Sequence, residues 1–365
     1  MKLTKILLLI SFLIIFFTLT MYVYATEPEQ QNEVPESPSS ASSASIIIPL
    51  ILNQPDSGWM YGFTYIKQNL GSQRDLFQGG LIYTQKEQLV CFTSLKNYLN
   101  GGKYLLWSQI NYADWPDNFF GIGNEDPKKT GEKYTSNTKQ FSTDFLWRIG
   151  DSLYFGPTVS FNWFDVYDKT NNGQLAQGNI IGSNGGNAAG IGLHLYQNNL
   201  DEGNFPTRGQ TCDIILRFYN EAFGSSQEFS QFSTNYSKFL DLDSWGVIGI
   251  NSRILLSNGD VPFQMMPSLG NSDIMRGIEP DKYCDLNLAA IQGEYRFPIY
   301  NRWSGVSFVA LGDVADSINA LKLDHFTWGF GVRYALDKDQ TFKLRLDVGT
   351  AKDESAAYFG VQEAF

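Results

Sequence analysis

Two histidines, three cysteines and scattered carboxylates are the groups from which any catalytic chemistry would have to be built. His194 and His325 lie far apart with no His-x-x-x-His spacing, so a histidine-rich zinc site is excluded. Cys91, Cys212 and Cys284 contain no Cys-x-x-Cys pair, so they form neither a zinc knuckle nor a dense disulfide framework. They read as small apolar residues, with a single disulfide among them left open. The chain has no Gly-x-Ser-x-Gly elbow, no phosphate-binding Gly-x-x-x-x-Gly-Lys loop and no His-Glu-x-x-His. Asp241-Leu242-Asp243 and Asn124-Glu125-Asp126 offer carboxylates to a cation but lack the twelve-residue EF-hand spacing, and read as solvated loops. No catalytic set, metal set or cofactor follows, and the chain reads as a non-enzyme.

Other polar groups recur every second residue. Gln292, Glu294 and Arg296 share one parity, as do Gly329, Gly331 and Arg333, and as do Lys343, Arg345 and Asp347. The residues between the last three are Leu344 and Leu346, with Val348 following. Val159, Phe161 and Trp163 alternate with Thr158, Ser160 and Asn162, and Ile214, Leu216 and Phe218 with Asp213 and Arg217. Side chains two apart share a face of a strand. Such strands need hydrocarbon on one side and polar contents on the other. A cation on the lipid side costs about 2–4 kcal/mol near the midplane, so the charged face is a lumen. A soluble sandwich would turn its apolar face inward, and would not explain aromatics near strand ends together with an export signal. The pattern is that of an all-β, transmembrane antiparallel β-barrel.

Composition agrees. Of 365 residues, 15% are aromatic and only 18% charged, below the roughly 25% of ordinary globular chains. A net charge of −11 repels phosphate backbones and excludes nucleic acid as a partner. Lys2 and Lys5 precede the apolar run Ile6 to Val23, and Val23-Tyr24-Ala25 places small residues at −3 and −1. Residues 1–25 are therefore predicted to be a signal peptide cleaved before Thr26. No cysteine stands there to accept a lipid. Residues 26–45, TEPEQQNEVPESPSSASSAS, bury too little to offset ordering entropy and read as a disordered linker. Residues 46–365 form the barrel domain, since no later apolar run is long enough for a spanning helix.

Alternation predicts strands at 59–67, 76–86, 88–96, 104–113, 138–149, 153–166, 187–198, 209–220, 228–239, 245–256, 285–297, 303–312, 326–335, 341–349 and 357–365. Fifteen is odd, and a bacterial single-chain barrel needs an even number. A sixteenth strand is expected at Ile46 to Leu52 or within 114–137, unless one window has been split. Long loops are predicted at 114–137, 167–186 and 257–284, on the extracellular side.

The carboxy-terminal third carries a family resemblance. Asp273-Ile274-Met275-Arg276-Gly277-Ile278, Glu294-Tyr295-Arg296-Phe297-Pro298, Phe308-Val309-Ala310-Leu311-Gly312-Asp313-Val314, Gly329-Phe330-Gly331-Val332-Arg333-Tyr334 and Leu344-Arg345-Leu346-Asp347-Val348-Gly349 occur in that order before Phe365. In order and spacing, residues 270–365 resemble the bacterial surface antigen barrel family of BamA/TamA-like outer-membrane barrels. Pro55-Asp56-Ser57-Gly58, Phe120-Gly121-Ile122-Gly123-Asn124 and Asn204-Phe205-Pro206-Thr207-Arg208-Gly209 extend the likeness upstream. The resemblance implies sixteen strands and an arginine–glycine loop folded into the lumen, where Arg276 and Gly277 would latch on Glu294. Arg296, Arg333, Arg345 and Asp347 would be lumen charges. Ala310 stands where the family has an aspartate and Ile278 where it has an aromatic, so the latch would lack one acid or use Asp313. The family's long members carry polypeptide-transport-associated domains before the barrel. Here the linker takes their place, as in a short member.

The resemblance implies localisation in the bacterial outer membrane, outer-membrane lipid as surroundings and a periplasmic or outer-membrane protein partner. It points to assisting protein insertion or transport across that membrane. The alternative is a passive surface barrel, an antigen or small pore with a loop-plugged lumen. The closing seam is expected between 59–67 and 357–365. There Gly360 weakens the last strand, Glu363 faces lipid near the periplasmic interface, and Gly360 and Phe365 fit a terminal assembly signal.

Overall fold

The computed structural model describes residues 44–54, 58–72, 75–125, 131–201, 205–336, 343–361 and 363–365. The predicted signal peptide and nearly all of the predicted linker lie outside the described residues. Sixteen strands follow one another in the chain: β1 (Ala44–Gln54), β2 (Gly58–Gln68), β3 (Leu76–Thr84), β4 (Leu89–Leu99), β5 (Tyr104–Phe119), β6 (Glu132–Arg148), β7 (Leu153–Tyr167) and β8 (Gly186–Asn198). They continue as β9 (Gly209–Tyr219), β10 (Phe229–Asp241), β11 (Val247–Gly259), β12 (Asn287–Tyr300), β13 (Trp303–Ala315), β14 (His325–Ala335), β15 (Lys343–Thr350) and β16 (Ser355–Val361). All lie in one antiparallel sheet whose order is the order of the sequence. Each strand pairs with its chain neighbours, and among the described residues no ladder joins β1 to β16.

The strand missing from the alternation count is β1, paired from Ala44↔Gln68 to Gln54↔Gly58. It begins two residues inside the stretch read as linker. The seam therefore belongs to β1 and β16, and the expectation that 59–67 forms one side of it is corrected, because β2 is paired on both edges. Pro49 within β1 is tolerated because an edge strand has one side without ladder partners.

Register sorts the faces as the alternation requires. Across β12 to β16 the pairs Glu294↔Phe308, Phe308↔Gly329, Gly331↔Asp347 and Asp347↔Tyr358 put these residues on the inner face. The outer face of the same strands carries Val309, Phe330, Leu346, Val348 and Phe359, all exposed. Exposed Trp303, Tyr300 and Trp245 gather at the short-turn end of β11, β12 and β13, where an aromatic girdle meets one membrane interface. Val309→Arg, near the middle of β13, is expected to lower stability by about 2–4 kcal/mol. Heat-modifiable migration of detergent-purified protein reads this, and an unchanged transition would contradict the outward assignment.

The three long connections are 120–131, 168–185 and 260–286, all at one end of the sheet. The first is shorter than predicted because β5 and β6 pair out to Phe119↔Glu132. A span needs about 9–11 residues, so these strands, of 16 and 17 residues, continue as a hairpin past the hydrocarbon. The polar pairs Asp114↔Asn137 and Asp117↔Tyr134 read as loop in the sequence because they lie in that extension.

Candidate functional site

Loop 260–286 folds into the lumen. Its apolar residues Leu269, Ile274, Met275 and Ile278 pack on Leu288, Ala290, Ala310 and Val314 of the inner wall. Ala310, where the resembling family has an aspartate, is thus part of an apolar seat. Ile278, in place of an aromatic, is buried in the same seat. The loop backbone comes against β15, where a Cβ on Gly349 would lie 2.5 Å from the Arg276 carbonyl carbon and oxygen. Gly277 has φ +114°, and a Cβ there would lie 2.6 Å from the Thr350 nitrogen. Its N–H donates to the Tyr358 hydroxyl of β16 at 2.9 Å. Gly349→Val is expected to lift the loop while leaving the strands paired. New protease cleavage within 260–286 would show it, and unchanged protection would contradict this contact.

Below the seat, six buried charges close a ring. The Arg276 guanidinium reaches Glu294 Oε2 and Asp347 Oδ2, each at 2.5 Å. Glu294 Oε1 accepts from Arg296 Nε at 2.8 Å. Arg296 Nε lies 3.8 Å from Glu363 Oε2, which accepts from Arg333 Nε at 2.7 Å. Arg333 also pairs with Asp347, completing the circuit. Three guanidinium groups thus face three carboxylates, and their side chains are between 0% and 8% exposed. The Phe308 ring lies under the Arg276 guanidinium, 3.5 Å from Cζ to centroid. Desolvating so many charges is offset only when each is paired and hydrogen-bonded, and alternate signs around a ring achieve this. Arg345 stands beside it, 3.7 Å from Asp347 and donating to the Ser272 carbonyl at 3.1 Å.

The geometry brings together Arg276, Gly277, Glu294, Arg296, Arg333, Arg345 and Asp347. It corrects three expectations. Asp313 is not the second acid of Arg276, because it accepts from Asn124 Nδ2 and the Lys322 N–H, each at 2.5 Å. Asp347 supplies that charge from β15. Glu363 does not face lipid: the strand stops at Val361, and the carboxylate lies in the lumen. Phe365 also lies inside, its carbonyl accepting from Arg296 at 2.8 Å and its ring stacked on Phe239 at 5.7 Å. Gly360 is on the inner face opposite Arg345, whose nearest atom would be 3.5 Å from an added Cβ, so an alanine would fit there.

Alternation put Thr158, Asp213 and Arg217 on the inner face, but sequence reading did not join them to His194, Asp144 and Lys96 in a second inner cluster on β4 to β9. His194 lies between Asp144, 3.4 Å from Nδ1, and Asp213, 3.3 Å from Nε2. Arg217 donates to Thr158 Oγ1 at 2.8 Å. Lys96 stands over the Trp107 and Tyr196 rings at 4.1 and 3.9 Å. Alternation could have found it, since His194 and Tyr196 share a parity while Leu193 faces out at 50% exposure. Among the described residues no group of three His, Cys, Asp or Glu side chains is placed to hold a metal ion, and the three cysteines are free thiols.

Comparison with known proteins agrees with this architecture. The model of the Omp85 superfamily domain matches residues 70–358. No curated protein matches the sequence. Among solved structures, BamA from Haemophilus ducreyi lacking POTRA domains 1–3 superposes with a TM-score of 0.57 at 13% identity, over 87% of this chain and 70% of that one. CdiB from Escherichia coli gives 0.56 at 10% identity, covering 89% and 63%. CdiB from Acinetobacter baumannii gives 0.52 at 13%, covering 87% and 59%. The chain thus spans less than two thirds of either CdiB. At these identities the structures speak for the fold, a sixteen-stranded outer-membrane barrel, while the family model speaks for descent over most of the chain. The inward loop, five of the six ring charges and strands β3 to β15 fall within that match, and the chain belongs to the Omp85 superfamily, as a β-barrel of the bacterial outer membrane.

Proposed function

We propose that the protein assists insertion of polypeptides into the outer membrane, or their transport across it, through the seam between β1 and β16. The observation that carries this reading is the outer edge of β1, which has no ladder partner among the described residues. Backbone N–H and C=O groups left unpaired in hydrocarbon cost several kcal/mol each, so such an edge is a template for an added strand. β16 is short, and the residues that would lengthen it, 363–365, are bound in the lumen. The charge ring gives the inward loop a role in this. Arg276 and Gly277 tie it to β15 and β16, so that loop position and seam state are linked. Arg296, Arg333 and Asp347 serve as its fixed wall, with Arg345 beside them and Gly360 and Phe365 on the mobile side of the seam. A periplasmic or outer-membrane partner would deliver the substrate. Residues 1–25 act as the export signal and the linker follows them.

The test is reconstitution. Liposomes containing the purified protein should accelerate insertion of an unfolded model barrel, read as acquired protease resistance, over protein-free liposomes. Equal rates in the two would refute the proposal. The buried loop 260–286 favours a second reading, a plugged surface barrel. That reading predicts no acceleration and low single-channel conductance that rises when the loop is displaced.

A further inference from the structure

Three adjoining strands meet carboxylates at the long-loop end of the sheet. Glu221 follows β9 by two residues, Glu228 immediately precedes β10, and Asp260 immediately follows β11. The ladder pair Phe229↔Gly259 sets Glu228 and Asp260 side by side just beyond it, and the Asp260 N–H donates to the Glu228 carbonyl at 3.0 Å. Like charges facing each other across two strands repel. No cation among the described residues pairs with any of the three. Lys169 reaches this region but donates to Asn184 Oδ1 at 3.1 Å. The three carboxylates line a cleft of about 640 Å³, walled on its other side by the turn before β8, where Ile180 and Ile181 give an apolar patch. Ser183 also lines it, 1% exposed, and its hydroxyl has no hydrogen-bond partner among the described residues. Gln264 Oε1, beside Gly182, is a buried acceptor without a donor. The walls are pinned by hydrogen bonds. The Phe263 N–H donates to the Ile181 carbonyl at 3.0 Å, Gln264 Nε2 to the Gly182 carbonyl at 2.8 Å, and the Ser226 N–H to the Asn187 carbonyl at 2.8 Å.

We propose that this cleft binds a linear polyamine, its ammonium groups meeting Glu221, Glu228 and Asp260 and its methylene spacers lying over Ile180 and Ile181. The site offers carboxylates on separate segments, a buried hydroxyl and an amide oxygen, and it lacks donors and positive charge. An ammonium supplies both. Buried polar groups are ordinarily hydrogen-bonded, so the unpartnered Ser183 hydroxyl marks a place for a group of the ligand. The volume is that of an organic ligand rather than a bare ion, and no three carboxylates of the described residues are placed about one metal position. Methylene spacers match an apolar patch set among separated carboxylates. Strands β9, β10 and β11 are each paired on both sides, in the middle of the strand order, so the site is independent of the seam and of the insertion reading.

Isothermal titration of spermidine into the full chain, in a non-ionic detergent at low ionic strength, tests this. Wild-type protein should take up spermidine at one site per chain. Spermidine should bind about fivefold more tightly than putrescine, the upper range for one more exposed ammonium–carboxylate pair, and butylamine should bind more weakly still. Glu228→Gln combined with Asp260→Asn should weaken spermidine by about tenfold or more. Ser183→Ala should weaken it by about threefold, while the heat-modifiability transition does not fall, because the hydroxyl removed has no partner in the protein. A purely structural role for that hydroxyl predicts the reverse, a lower transition with unchanged affinity. Two competitors separate other occupants on the unaltered protein. Calcium chloride that displaces spermidine at equal concentration would make this a metal site. Trilysine that binds more tightly than spermidine would make it a seat for a basic polypeptide. Either result overturns the polyamine, as does an absence of spermidine binding or an affinity indifferent to Glu228 and Asp260. Reconstitution judges the insertion proposal separately, since β1 and β16 take no part in the cleft.

Discussion

Arg276→Ala should unseat the inward loop at a cost of about 3–5 kcal/mol, the range for removing one member of a buried ion pair. Glu294 and Asp347 would lose their shared guanidinium in a site where both are 0% exposed. Loop 260–286 should become protease-sensitive, and the temperature of the heat-modifiability transition should fall. Arg276→Lys should recover only part, because an ammonium cannot span two carboxylates in fixed planar geometry. In a double-mutant cycle, Arg276→Ala and Glu294→Ala should be strongly non-additive, since the second change removes a charge the first left exposed to burial. Additive effects would show that the 2.5 Å contact carries no energy of its own.

A covalent staple across β1 and β16 should have the largest functional effect. With Cys91, Cys212 and Cys284 replaced, cysteines at Ile47 or Pro49 and at Ala357 or Phe359 would sit at exposed outer positions of the two strands. Once cross-linked, the protein should lose about tenfold or more of its insertion rate, and reductant should restore it. The free energy lost is that of the edge made unavailable as a template. Full activity with the cross-link complete would exclude the seam as the route.

Much of this was legible in the residues. A period of two with Val, Leu and Phe on one parity and Arg, Glu and Asp on the other fixes which face meets lipid. That rule alone places Glu294, Arg296, Arg333, Arg345 and Asp347 inside. It fails at Ile46-Ile47-Ile48-Pro49-Leu50, where both parities are apolar and no alternation exists. Ile48 and Ile66 pack together on the inner side while Ile47 is 65% exposed, so β1 is apolar on both faces for different reasons. Partner choice across the lumen is equally invisible to periodicity. Asp347 and Asp313 are both plausible acids for Arg276 by face, and only the path of the inward loop decides for Asp347. Glu363 was misplaced because strand parity was carried to Phe365, whereas the strand ends at Val361 and the buried arginines draw the carboxylate inward.

The account turns on the seam being unpaired while residues 363–365 stay in the lumen. Nitroxide pairs placed at Ile47 or Pro49 and at Ala357 or Phe359, in protein reconstituted into liposomes, measure this directly. Paired neighbouring strands lie about 5 Å apart, and at least one of the four pairs would then show strong dipolar broadening at that separation. The open seam predicts no such broadening in any pair of the wild-type protein. Strong broadening in one of them, unchanged by Arg276→Ala, would contradict the account.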